Sequence, residues 1–134
     1  MAVAELNIVA ILVATALAMG VGALWYSPVA FAKAWMAAVG KKPDDLGNPA
    51  AALSMTAVNT LVEAAVLAVV VGSAGVASIV GGALVGVMVW LGFVVTAHLL
   101  GVFFEGRSLT LVAIDAGHQL FTYMVMGAVL GAWR

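Results

Sequence analysis

The chain of 134 residues is 66% hydrophobic and only 8% charged, and its mean hydropathy is +1.22. A soluble domain carries about 45–50% apolar and about 25% charged residues, so a water-soluble globular domain is excluded. The net charge of −1 and the lack of a basic block exclude an electrostatic nucleic-acid interface, and the lack of cysteine excludes disulfides. We therefore predict an all-α integral membrane protein whose surroundings are the lipid bilayer.

Four stretches of the sequence are long enough to cross a membrane, which takes roughly 20 apolar residues. The first has Glu5 where a cleaved signal peptide would have a basic flank, and it is too long for one. Asn48-Pro49 and Ser108 are typical helix-start signals for the second and fourth stretches. We predict one domain over residues 1–134 with four spans, at residues 6–26, 49–71, 76–103 and 109–132.

A short amphipathic segment follows the first span, at residues 28–39. Ser27-Pro28 predicts its start, and Gly40 predicts its end. This pattern is typical of a helix that lies in the membrane interface, and an ordinary loop is the alternative. Aromatic side chains here and at the span ends are expected to anchor the protein at the interfaces: Trp25, Tyr26, Phe31, Trp35 and Trp133.

Basic side chains are shared unequally between the two sides of the predicted bundle. We call the side of the loops 27–48 and 104–108 side B, and the opposite side, which carries Arg134, side A. Because Lys- and Arg-rich short loops stay in the cytoplasm, we predict a cell-membrane protein with loop 27–48 cytoplasmic and both termini outside. The basic residues on side B are Lys33, Lys41, Lys42 and Arg107.

Polar residues form one stripe in the second span and one in the fourth, at offsets i, i+3, i+4 and i+7. The stripes are Thr56, Asn59, Thr60 and Glu63, and Asp115, His118, Gln119 and Thr122. They lie at similar depth, so we expect them to face each other. His98 of the third span is level with Asp115, and we expect those two to pair. The predicted intramembrane polar site is Asn59, Glu63, His98, Asp115, His118 and Gln119.

Ionisable groups inside a span cost about 2.5–3.5 kcal/mol each at the helix centre and usually mark a functional site. Three interpretations remain open: interhelical hydrogen bonds alone, a proton-linked site, or a haem or divalent metal ion at His98 and His118. Glu63 lies deepest without a cation at its level, so desolvation favours its neutral form and makes it a candidate proton carrier. No nucleophile motif or phosphate-binding loop is present, so we assign no catalytic residue and predict no cofactor.

Two glycine pairs with a spacing of four residues occur in the third and fourth spans. Such pairs let helix backbones approach closely. We expect these glycines at the interface of a homo-oligomer, with packing inside one protomer as the alternative. They are Gly82, Gly86, Gly127 and Gly131.

The run Gly22-Ala-Leu-Trp25-Tyr26-Ser27-Pro28, followed by Phe31 and Trp35, resembles a bacterial membrane family, the domain of unknown function 1761 (DUF1761). Later segments fit the same family, and the resemblance covers almost the whole chain. It implies four membrane helices and carries over no activity and no functional residue. The later segments are Trp90-Leu-Gly-Phe93, Phe104-Glu-Gly-Arg107-Ser108 and residues 127–133.

Two function classes follow from the sequence. The first is a homo-oligomeric, proton-linked transporter or channel-like protein for a small solute, which depends on Glu63 and Asp115. The second is a non-catalytic accessory subunit of a larger membrane complex, which depends on the small-residue faces of the helices.

Overall fold

The computed structural model describes residues 5–134 as an all-α bundle. Residues 1–4, which include the terminus predicted to lie outside the cell, are outside the described part. A π-helical segment, Trp90–Val95, joins α4 to α5 in one continuous rod, and a short 3₁₀ turn, Pro43–Asp45, precedes α3. The helices are α1 (Ile8–Trp25), α2 (Ala32–Val39), α3 (Pro49–Ser73), α4 (Ile79–Val89), α5 (Thr96–Glu105) and α6 (Leu109–Ala132).

Helix starts follow the capping chemistry of the sequence. The Asn48 side chain accepts a hydrogen bond from the Ala50 amide at 2.9 Å, with Pro49 as the first helical residue. Ser108 caps α6, whose bounds are those predicted. Asn7 lies outside α1 and caps it by accepting from the Ala10 amide at 3.0 Å, so α1 is slightly shorter than the predicted first span.

The interfacial helix begins four residues later than predicted. The Ser27 hydroxyl donates to the Leu24 carbonyl at 2.7 Å, and so it closes the end of α1 instead of capping α2. A turn in which the Phe31 amide donates to the Trp25 carbonyl occupies the intervening residues. α2 therefore begins at Ala32, and it ends as predicted at Gly40, whose φ of +79° favours glycine.

The connection between the second and third rods also differs in detail from the prediction. α3 continues past Gly72 to Ser73, and Gly75 turns the chain with a φ of +69°. The α4 helix begins only at Ile79, because Ser78 caps it by accepting from the Gly81 amide at 3.0 Å. The rod formed by α4, the π-helical segment and α5 ends at Glu105, whereas the predicted third span ends at residue 103.

Three rods of the described chain have the length and hydropathy of a membrane span: Ile8–Trp25, Pro49–Ser73 and Ile79–Glu105. Their large apolar side chains, such as Val58 and Met88, are mostly exposed, as expected for surfaces in contact with lipid. The protein is therefore a multi-pass membrane protein. α6 is 24 residues long but carries the polar stripe that includes Asp115 and His118, and it is not among the three rods.

The core lies in the side-A half of the bundle, around α6. α1, α3 and α4 pack against α6, and the contact with α4 is the most extensive. At the side-A end, Arg134 donates to the carbonyl oxygens of Val76 and Gly72 at 2.9 and 3.3 Å. This contact places the end of α6 beside the α3–α4 turn. The core residues are Ala10, Ile11, Ala14, Ala18, Ala64, Leu67, Ala68, Val71, Tyr123, Met126 and Leu130.

The two glycine pairs face each other within one chain. A Cβ on Gly82 would collide with the carbonyl oxygen of Gly127, and it would lie 2.9 Å from Cα of Gly131. A Cβ on Gly86 would collide with the carbonyl oxygen of Tyr123. These contacts bring the backbones of α4 and α6 together, so the expectation that the glycines face a second copy is wrong.

Replacing Gly82 by alanine is expected to destabilise the protein, because the new Cβ must push α4 and α6 apart. Overpacking of this kind costs about 1–3 kcal/mol. Thermal unfolding in detergent, followed by circular dichroism, measures the loss. Gly20→Ala is the matched control, because nothing lies within 4 Å of a Cβ at Gly20. Equal unfolding temperatures for the two variants would contradict this account.

Candidate functional site

A cleft of about 630 Å³ opens in the side-B half of the bundle. This side-B cleft falls within the size range of small-ligand sites, about 300–1,000 Å³. Four of the six predicted polar-site residues line it: His98, Asp115, His118 and Gln119. The remaining wall is aromatic and aliphatic, and it comprises Tyr26, Ala32, Trp35, Met36, Leu46, Pro49 and Leu53.

The end of α1 is fixed to α6 by two hydrogen bonds. The Trp25 indole donates to the Ile114 carbonyl at 3.0 Å, and the Tyr26 hydroxyl donates to Asp115 Oδ1 at 2.6 Å. The second bond holds the carboxylate in place and occupies one of its oxygens. Asp115 Oδ2 is left as an acceptor for a ligand in the cleft.

A further hydrogen bond in the cleft wall joins α5 to α6 through His98 and Gln119, whose Nε2 and Oε1 atoms are 2.6 Å apart. An amide oxygen can only accept, so this contact requires the imidazole proton on Nε2. In a neutral ring with this tautomer, Nδ1 is the acceptor. Because His98 pairs with Gln119 and Asp115 pairs with Tyr26, the expected His98–Asp115 pair is not formed.

The π-helical segment keeps His98 on the side of α6. Gly86, Trp90, Val94 and His98 are four residues apart, and in a straight α-helix each such step rotates the side chain by about 40°. A π segment has a wider turn and reduces this drift. Consequently Trp90, whose indole donates to the Ala116 carbonyl at 2.8 Å, and His98 both reach α6.

His118 lies at the aromatic end of the cleft. Its ring centroid is 5.1 Å from that of Tyr26, and its Nε2 lies 3.2 Å from the Thr122 hydroxyl. A Cβ on Gly22 would lie 3.2 Å from the same nitrogen, so the glycine leaves room for the imidazole against α1. The ring is therefore held by contacts with both α1 and α6.

Asn59 and Glu63 are separate from this cluster. Asn59 Nδ2 donates to Glu63 Oε1 at 3.1 Å along α3, and Asn59 is exposed. Glu63 lines a different groove, of about 230 Å³, with Val89 and Tyr123. Of the second-span stripe only Thr60 is buried, so the two polar stripes do not meet as a single site.

A second cleft of about 500 Å³ lies along α5, between the loop at Arg107 and Gln119 of α6. His98 and Gln119 line both clefts, so this hydrogen-bonded pair forms a wall between them. The second cleft also includes Glu105 and Arg107, which form an exposed ion pair at 3.5 Å. A change in the His98–Gln119 pair would therefore affect both clefts.

The donor set does not favour a metal ion. Within residues 5–134, no three His, Asp or Glu side chains come close enough to hold one. The Nε2 atoms of His98 and His118 already contact Gln119 and Thr122. With these contacts in place, only the Nδ1 atoms of the two histidines remain to bind a metal ion or haem.

The aromatic residues have a role that sequence reasoning did not assign. Tyr26 and Trp35 were expected only as interface anchors, yet both line the cleft, and their ring centroids are 6.0 Å apart. Phe31 packs on Trp25 at a centroid distance of 4.6 Å, whereas Trp133 is exposed at side A. The signal in the sequence was the Trp-Tyr-Ser-Pro run, which carries the family resemblance.

Chemically, the cleft combines aromatic faces with a few convergent polar groups. Among the described residues that line it, Asp115 carries the one carboxyl group. Aromatic faces attract cations, and the carboxylate supplies the opposite charge. The arrangement suits a small amphipathic molecule with a hydrogen-bonding or positively charged end.

The chain belongs to the family described as protein of unknown function (DUF1761), whose model matches residues 9–131. The match includes all the residues that line the side-B cleft. Comparisons with curated proteins and with solved structures give no match.

The Tyr26–Asp115 hydrogen bond is expected to stabilise the fold. In a double-mutant cycle of Tyr26→Phe and Asp115→Ala, we expect a coupling free energy of about 1 kcal/mol or more, as for hydrogen bonds to charged groups. Unfolding in mixed micelles with increasing dodecyl sulfate measures it. A cycle of Thr96→Val with Asp115→Ala is the control, because the Thr96 hydroxyl donates along its own rod, to the Gly92 carbonyl. Coupling near zero in the Tyr26 cycle would contradict the assignment.

Proposed function

We propose that this DUF1761 protein binds a small amphipathic solute in the side-B cleft and moves it across the membrane in a proton-linked cycle. The observation that carries the proposal is the convergence of Asp115, His98 and His118 on one cleft that is walled by Tyr26 and Trp35. Small-molecule sites are typically apolar pockets with a few well-placed polar groups. An apolar bundle that needed only internal hydrogen bonds has no need of such a cleft.

The chemistry of the cleft favours an organic cation as the solute. Asp115 Oδ2 would accept from an ammonium group, and Tyr26 and Trp35 would contact its apolar part. His98 also lines this cleft, and in its neutral form Nδ1 can accept a hydrogen bond from the solute. A primary amine with an aromatic or short aliphatic tail matches these groups.

Proton linkage follows from competition at the same groups. Imidazole is the side-chain group that exchanges protons near neutral pH, and a positive charge on a histidine of the cleft wall would oppose a bound cation. Binding of the cation would then release a proton, and protonation would release the cation. This assigns the proton step to the cleft rather than to Glu63, which lines a separate groove.

A conformational change is required for transport, because the side-A half of the bundle is tightly packed. Below the cleft, the glycine contacts join α4 to α6, and Ala14, Ala64 and Met126 are fully buried. A solute that enters from side B therefore meets a closed core. Transport by one protomer would need α1 or α3 to move, and a homo-oligomer offers a further route between copies.

For the membrane arrangement we propose four spans, with α6 as the fourth. α6 is long enough to cross, and its polar residues face the cleft rather than lipid. We further propose that side B is cytoplasmic, because it carries Lys33, Lys41, Lys42 and Arg107.

An accessory subunit is the second candidate function. α5 contains no buried residue, and it exposes Phe103 and Phe104 at 70% and 85%. Such a surface would suit a larger membrane partner. In that case, substitutions on α5 would matter and substitutions in the cleft would not.

Binding of 2-phenylethylammonium to the protein in nanodiscs tests the proposed function, with isothermal calorimetry as the measurement. We expect Asp115→Asn to weaken binding about tenfold or more, because the charged hydrogen bond is lost. Thr96→Val removes an intramembrane hydroxyl outside the cleft and should leave the affinity unchanged. Proton release on binding should appear as a dependence of the heat on buffer ionisation. Unchanged affinity in Asp115→Asn would contradict the cleft as the binding site.

Single cysteines test the membrane arrangement cleanly, because the chain has no native cysteine. In intact cells, a membrane-impermeant thiol reagent should label Ala74→Cys, in the α3–α4 turn, and should leave Asp44→Cys unlabelled. Both sites are exposed, so access depends on the side of the membrane. After the cells are opened, both should react. The opposite labelling pattern would reverse the orientation.

A further inference from the structure

One face of α3 exposes a polar pair in the middle of an apolar surface. We call it the Asn59 face; it consists of Met55, Val58, Asn59, Val62 and Val66. Met55, Val58 and Val62 are 73%, 63% and 57% exposed, as expected for side chains in contact with lipid or with another helix. The spacing of three and four residues places the set on one side of the helix.

The polar pair lies deep within the hydrocarbon layer. Asn59 is roughly 15 Å, and Glu63 roughly 21 Å, along a helix that is roughly 37 Å long. Polar groups at this depth are costly in contact with lipid and normally face protein or water. The hydrogen bond to Glu63 uses one N–H of the Asn59 amide, so a second N–H and the Oδ1 atom are available to a partner.

The shape of the surface fits a neighbouring helix. Two shallow grooves meet at Asn59 and Val62, one of about 450 Å³ along the Asn59 face itself and one of about 230 Å³ beside it. The smaller groove lies against Val89 and Tyr123, and Glu63 lines it. Grooves along the surface of a helix accept the rows of side chains of a neighbouring helix.

We infer that the Asn59 face is the interface with a second copy of this chain, related by a two-fold axis along the membrane normal. All copies share one orientation when the Lys and Arg bias is strong, so the two α3 helices run parallel. A two-fold axis then brings Asn59 opposite the second copy's Asn59 at the same depth. The free N–H of each amide donates to Oδ1 of the other, while each keeps its bond to its own Glu63.

The amide side chain makes the surface self-complementary, which is why the occupant is a second copy. An amide has both donor and acceptor, so two identical amides satisfy each other across a two-fold axis. A single buried Asn is also a known device that fixes register in parallel helix pairs. The glycine faces of α4 and α6 are already used inside the protomer, so they do not compete for this role.

This inference names the interface of the homo-oligomer, and it does not depend on the solute or on the side-B cleft. Disulfide formation between single cysteines in native membranes tests it, since a disulfide requires the two Cβ atoms to lie about 3.5–4.5 Å apart. Under copper-phenanthroline oxidation, Val62→Cys should form covalent dimer several-fold faster than Leu91→Cys. Leu91 is a matched control, because it is equally exposed and lies at a similar distance from side B. Equal rates at the two positions would overturn the inference.

Native mass spectrometry from nanodiscs supplies the second measurement. The unmodified protein should show a dimer mass, and Asn59→Leu should lower the dimer fraction several-fold, whereas Thr96→Val should not. A dimer without the Val62 cross-link would place the interface elsewhere and overturn this inference, while the proposed homo-oligomer stands. A monomer mass, or a complex with a different polypeptide, would overturn both the Asn59-face interface and the proposed homo-oligomer. None of these results bears on binding of a solute in the side-B cleft.

Discussion

The close contact between α4 and α6 is the constraint on which the rest of the structure depends. Because Gly82 and Gly127 have no side chains, the two backbones touch in the side-A half of the bundle. Without a hydrophobic force between helices in lipid, such backbone contact and interhelical hydrogen bonds hold the bundle together. The small alanines of α1 and α3 then close around α6 in the same half. The bundle is therefore tightly packed in its side-A half, and the cleft opens in its side-B half.

Two tryptophans fix α6 from its two sides. The indoles of Trp25 and Trp90 donate to the carbonyl oxygens of Ile114 and Ala116, which are separated by one residue and so point to nearly opposite sides of the helix. These bonds tie α1 and the π segment to the part of α6 that carries Asp115. A polar side chain is useful for binding only when its position is fixed, and these contacts position the segment of α6 that lines the cleft.

The same fold treats its polar groups in two ways. Asp115 and His118 lie toward α1, where Tyr26 donates to one oxygen of Asp115 and its ring lies against that of His118. Asn59 satisfies Glu63 along its own helix and stays on the outer surface. A polar side chain that faces the inside of the bundle can take part in binding within one protomer. A polar side chain that faces the hydrocarbon layer requires a partner on another protein chain. The binding cleft and the proposed interface between copies thus follow from one rule of membrane energetics.

The sequence by itself determined the all-α class, the apolar spans and most helix ends, because hydropathy and capping are local properties. Asn48-Pro49, Ser108 and Gly40 acted as predicted. Sequence periodicity also singled out Asp115 and His118, but it could not tell which stripe faces inward. That was decided by helix rotation: the α4–α6 contact and the π segment bring His98 to Gln119. The rotation of α3 buries Thr60, places Glu63 in a separate groove and leaves Asn59 exposed. Partners across helices depend on contacts between residues far apart in the chain, which no local pattern encodes.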